Sequence, residues 1–140
     1  MKIHLLLFLS ILSISLGNQS CKSSKKMSNQ GKDFIQIGFG GGIVGKETSY
    51  ALYQDGSLES EGKVLKNLSN SVTKQLFSNF TTLGLQEVEF QNPGNTYQFI
   101  EFKLNGVNRR MAWNPSDNEV QKELKLYYST FNHYVQKYIK

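Results

Sequence analysis

One cysteine, Cys21, and two histidines, His4 and His133, are the whole supply of thiol and imidazole in these 140 residues. A lone cysteine closes no internal disulfide. His4 falls in the N-terminal apolar segment, so the rest of the chain keeps only His133. That excludes Cys–His catalysis and the usual zinc ligand sets. A transmembrane helix needs about 20 predominantly apolar residues, and the longest run here, Leu5 to Leu16, is twelve residues long, three of them serine. Acidic residues are missing altogether from positions 1–32, where five of the sixteen bases lie: Lys2, Lys22, Lys25, Lys26 and Lys32. The formal charge of +5 is therefore an N-terminal property, and residues 33–140 hold eleven bases against eleven acids. A neutral domain lacks the electrostatic footprint of a nucleic-acid binder. Its single basic pair, Arg109-Arg110, points to opposite faces if it lies on a strand.

What is present at the N-terminus has a definite order. Lys2 precedes the run LLLFLSILSISL, and Gly17-Asn18-Gln19-Ser20 leads into Cys21. Basic start, short apolar core and small residues before a break form a secretory signal peptide. With Ser20 ahead of the only cysteine, the segment resembles the leader of a bacterial lipoprotein. That resemblance implies cleavage after residue 20, acyl chains such as palmitate on Cys21, and a place in the cell envelope. Two or more chains give stable anchoring. Residues 22–32, KSSKKMSNQGK, carry one apolar side chain, Met27. They cannot offset their ordering entropy by burial and are expected to form a flexible tether.

Residues 33–140 suffice for one domain of α+β class: an antiparallel sheet of about five strands, as a meander, a helix and a hairpin, packed on two helices. Phe34 to Phe39 reads as the first strand. Glu47 to Gln54 and Ser57 to Glu61 flank an Asp55-Gly56 hairpin turn. Ser69 or Asn70 caps a helix with Val72, Leu76, Phe80 and Leu83 at helical spacing, and Gly84 stops it. Glu87 to Phe90 is a candidate edge strand. Asn105-Gly106 sets a second hairpin, in which Gln98, Ile100, Phe102 and Leu104 are expected to face the core. Trp113 is expected in the core or at its rim, the alternative being a partner anchor. Ser116 and Glu119 are spaced as a capping box for a last helix striped by Val120, Leu124, Tyr127, Phe131, Val135 and Tyr138.

Between the first two strands lies Gly38-Phe39-Gly40-Gly41-Gly42-Ile43-Val44-Gly45-Lys46, five glycines in nine residues. Gly40, Gly45 and Lys46 match the spacing of a phosphate-cradling loop. Two features exclude a nucleotide there. Glu47 stands where a magnesium-holding hydroxyl belongs, and a strand follows where the anion needs a helix N-terminus. The candidate partner-binding loop is Gly40, Gly41, Gly42, Ile43, Val44 and Gly45. Its two apolar residues are expected to tuck back onto the core; exposed, they would anchor a partner.

The order strand, glycine turn, strands, helix, hairpin, helix, with Gly41-Gly42-Ile43-Val44-Gly45 after the first strand, resembles the emfourin family. These are small bacterial inhibitors of thermolysin-like metalloproteases. The resemblance spans Phe34 to Lys140 and implies a protein-binding module whose loop meets a protease.

No catalytic constellation accompanies it. His133 reads as a surface or boundary residue, and the pairs Glu59/Glu61 and Glu87/Glu89 read as solvated edge charges on shared strand faces. The expected function is thus a lipid-anchored extracytoplasmic protein-binding module, with protease inhibition the role the emfourin resemblance implies, not an enzyme, with no cofactor and no metal. Its expected partners are the membrane, through the lipid on Cys21, and a protein. The alternative is a structural or envelope-accessory lipoprotein.

Overall fold

The computed structural model describes residues 31–139; the signal peptide and Cys21 read from the sequence lie outside that range. Strands β1 (Phe34–Gly41), β2 (Glu47–Tyr53), β3 (Ser57–Ser60), β4 (Lys63–Asn67), β5 (Gln91–Asn92), β6 (Thr96–Leu104) and β7 (Val107–Trp113) form one sheet. Their order across it is β4-β3-β2-β1-β6-β7-β5. Helices α1 (Asn70–Thr82) and α2 (Lys122–Tyr138) cover one face, with a 3-10 turn at Leu85–Glu87.

The α+β class stands as read from the sequence, but the sheet has seven strands rather than about five. The two additions escape pattern reading for one reason: β4 and β5 are exposed along their whole length. A strand that buries nothing leaves no period-two apolar signal. β5 runs parallel to β7, so the sheet is mixed, not purely antiparallel. It also lies at Gln91–Asn92, beyond the expected Glu87 to Phe90. In the earlier segment the Arg109 guanidinium donates to the Gln86 carbonyl at 3.0 Å and the Val88 carbonyl at 3.5 Å, and Phe90 reaches the β7 backbone, its carbonyl accepting from the Ala112 N–H at 3.1 Å.

Strand alternation sorts the apolar residues. Ile35, Ile37, Leu52, Ile100, Phe102, Leu104, Met111 and Trp113 meet Leu76, Phe80, Leu124, Tyr127, Phe131 and Val135 of the helices in one core. Phe80 lies between Phe102 and Tyr127, at 4.9 and 5.1 Å between ring centroids. Each such side chain contributes about 1.5–3 kcal/mol by leaving water. The polar tips are satisfied. Tyr127 donates its hydroxyl to the Leu76 carbonyl at 3.1 Å, and Trp113 donates its indole N–H to Gln98 Oε1 at 3.2 Å. Burial pushes the Tyr127 hydroxyl far above its ordinary pKa, and burial with Tyr50 nearby lifts Tyr128 to about 12, so both stay neutral. Trp113 is fully buried and belongs to the core.

Helix α1 begins as expected: Ser69 Oγ accepts from the Val72 N–H at 3.4 Å, and Gly84 follows the helix at φ +68°. Helix α2 begins later than expected, at Lys122, with no side-chain cap. Asn114 Oδ1 accepts from the Ser116 N–H at 2.9 Å and Asp117 Oδ1 from the Glu119 N–H at 2.8 Å. These side-chain turns engage the amide a Ser116 capping box would need.

Candidate functional site: the glycine loop and its base

Strand β1 runs through Gly41, so Gly40 and Gly41 close the strand and residues 42–46 form the connection. Gly41, Gly42 and Gly45 have φ of +94°, +74° and +61°, where side chains are disfavoured. A Cβ on Gly41 would lie 2.1 Å from the Asn95 carbonyl oxygen. That carbonyl also accepts from the Gly42 N–H at 2.8 Å, pinning the entry to the loop. The Gly45 N–H then donates to the Gly42 carbonyl at 3.2 Å, closing a four-residue turn.

Ile43 and Val44 occupy the centre of that turn. They are 105% and 86% exposed, and Phe39, near the end of β1, is 49% exposed. The expectation that they tuck back onto the core is therefore corrected. The turn itself is the cause: its closing bond projects both side chains outward, and positions built on Gly42 and Gly45 would have no atom within 4 Å.

The loop's exit is held on the sheet face away from the helices. Register aligns Gly40 with Tyr97 and Glu47, and Gly38 with Phe99 and Ser49. The two glycines form a floor for the aromatic rings: a Cβ on Gly38 would meet Phe99 Cζ at 2.4 Å, and one on Gly40 would meet the Tyr97 hydroxyl at 2.8 Å. Arg110 from β7 stacks on Phe99, 3.7 Å from the ring centroid. It crosses β6 and β1 to reach Glu47, the first residue of β2, through two bonds of 2.6 and 3.3 Å. Glu101 adds a weaker contact to Arg110 at 3.4 Å, and Tyr97 donates its hydroxyl to Glu47 at 2.9 Å.

These bonds set the titration of the group. The hydrogen bond from Arg110 holds the Glu47 carboxyl below the usual carboxylate range, against a smaller opposing effect of burial. Accepting from Tyr97 stabilises the same charge, and the bond raises the Tyr97 pKa in turn. Burial alone would lower Arg110, but its carboxylate partners raise it overall. A bidentate guanidinium stacked on an aromatic ring is a fixed fork rather than a mobile surface charge.

The other sequence candidates do not join this site. His133 is exposed on α2, with its ring 5.9 Å from Tyr134. Glu59 and Glu61 do not share a strand face as expected, because Glu61 sits in the β3–β4 turn at φ +50° and lies 3.9 Å from Lys46. Glu87 belongs to the 3-10 turn and Glu89 pairs with Arg109 at 3.2 Å. Among the described residues, no three His, Cys, Asp or Glu side chains converge as a metal would require. A cleft of about 270 Å³ between the helices is lined by Asn79, Leu83, Leu126 and Thr130, with no histidine or carboxylate.

The Arg110 cluster was missed by sequence reading. Gly38 counted there as part of the first strand and Gly40 as a loop residue, so the two were not read together, although alternate glycines on a strand signal close approach of something bulky. Tyr97 and Phe99 share that two-residue spacing on the neighbouring strand. No family model matches this chain, and no curated protein matches it.

Proposed function

We propose that this chain is a lipid-anchored protein-binding module of the bacterial cell envelope, exported by its signal peptide and attached through Cys21, whose loop at Gly40–Gly45 docks a protein partner. The observation that carries the reading is the exposure of Ile43 and Val44 at 105% and 86% on a turn whose entry and exit are both bonded to the sheet. Burying two such side chains in a partner supplies roughly 3–6 kcal/mol, about two to four orders of magnitude in affinity. Holding the loop in place beforehand avoids part of the ordering cost of binding. The partner supplies an apolar pocket for the tip. A thermolysin-like metalloprotease is the specific partner suggested by the Gly41-Gly42-Ile43-Val44-Gly45 turn after the first strand, and the module acts on it by occlusion rather than catalysis.

The test is capture from envelope extract by the full chain, with Ile43→Ser/Val44→Ser alongside, and assay of the captured material for metalloprotease activity. Recovery of one protein by the unmodified chain alone supports the reading, and inhibition of its proteolytic activity supports the inhibitor role. Equal recovery by both chains contradicts the loop as the site. The alternative, an envelope-accessory lipoprotein, is favoured by the exposed edge strand β4, which offers a second route to a larger assembly.

A further inference from the structure

The sheet ends in two unlike edges. β5 is two residues long, whereas β4 has five, every one exposed, including Val64 at 57% and Leu65 at 39%. Among the described residues β4 pairs with β3 alone, through a ladder with a register shift between Leu58 and Glu59. Its other side, which no described residue pairs, carries the amides and carbonyls of an edge strand, a template for another chain.

The charged side chains of β4 itself are of one sign, although Glu61 lies in the turn before it and Glu59 stands opposite Val64 on β3. Lys63 and Lys66 belong to β4, and both Lys66 and Lys137 of α2 approach the Tyr138 ring, their ammonium groups 5.8 and 5.7 Å from its centre. Among the described residues none of the three forms an ion pair, which is also true of Lys74, Lys103, Lys122 and Lys125. Lysines on an edge strand oppose pairing with an identical strand, since a second β4 would bring like charges within about 5 Å. The same lysines favour a strand of opposite charge.

We infer that β4 is a docking edge for an extended acidic and apolar segment of a partner protein. The added strand hydrogen-bonds to the free side of β4, sets carboxylates against Lys63 and Lys66, and covers Val64. The site shares no residue with the tip of the glycine loop, and the Lys46–Glu61 pair that links the two regions is exposed, at 3.9 Å, so either can fail without the other.

A capped eight-residue peptide of alternating glutamate and valine, titrated into the isotopically labelled full chain, provides the probe. The expected result is a set of amide shifts and slowed exchange confined to residues 63–67 and Tyr138, unaltered by Ile43→Ser/Val44→Ser. Lys63→Glu/Lys66→Glu should weaken binding at least about tenfold, and added salt should weaken it too. If that variant unfolds, Lys66→Gln alone should still lower affinity. The inference is overturned by an absence of shifts, by an equal response to a lysine and valine peptide, or by undiminished binding to the charge-altered variants. Self-association through β4 in sedimentation, or the same shifts induced only by phosphatidylglycerol vesicles, would overturn it as well.

Discussion

The β6–β7 turn and the β1–β2 connection lie at opposite ends of β1 and solve the same geometric problem differently. Asn105 and Gly106 reverse the chain in two residues, both at positive φ (+51° and +82°), and the Asn105 N–H is received by Asp33 at 3.2 Å. That turn closes the hairpin with polar and glycine residues alone. The β1–β2 connection spends five residues, puts two apolar side chains in water, and is braced by the Asn95 carbonyl on one side and Arg110 on the other. An extra length that costs exposure and is nonetheless held in place points to a use outside the fold.

Glycine replacement should break this contrast most strongly. Gly41→Ala drives a Cβ to 2.1 Å from a backbone oxygen at φ +94°, for an expected loss of about 1–3 kcal/mol. Gly106→Ala meets no atom within 4 Å and incurs only the left-handed backbone penalty of about 1–2 kcal/mol. Equilibrium unfolding of the two variants should therefore place Gly41→Ala lower; the reverse order would mean the loop entry is not pinned.

Removing the brace should matter less for stability and more for order. Arg110 and Glu47 are each about one-third exposed, at 35%, so Arg110→Gln should cost about 1 kcal/mol or less after screening. Amide exchange should quicken at residues 42–47 and stay unchanged around Asn105. Uniform quickening would reduce Arg110 to a general packing residue.

Acid offers a milder probe of both ends. The hydrogen bonds from Ser57, then Lys32, hold Asp55 at about 2 instead of 3.8. A depressed folded pKa gives stability that is present above the unfolded value and lost as pH falls through the folded one. Asp55→Asn should flatten the acid limb between 3.8 and about 2. Glu47, also lowered, should release the loop over the acidic side of its ordinary range, visible as exchange at residues 42–47 before the Asn105 turn responds.

The legible parts of this molecule are those that bury side chains. Leu76 and Phe80 gave helix α1, and Ile100, Phe102 and Leu104 gave the inner face of β6, because burial writes a period into the sequence. β4 was illegible because it buries nothing, and the late start of α2 because Asn114 and Asp117 compete locally for the amides of residues 116 and 119. The loop was located correctly but its tip was misplaced, since hydrophobicity alone argues for burial of Ile43 and Val44. The Arg110 brace required knowing that β7 lies two strands from β1, a tertiary fact no local pattern carries.

The central claim, that the tip is surplus to the fold, is tested most directly by unfolding Ile43→Ser/Val44→Ser beside the unmodified chain. The account predicts stabilities within about 0.5 kcal/mol of each other, as for surface substitutions away from structural features. A loss of more than about 2 kcal/mol, the scale of a buried apolar side chain, would contradict it by showing that Ile43 and Val44 belong to the core.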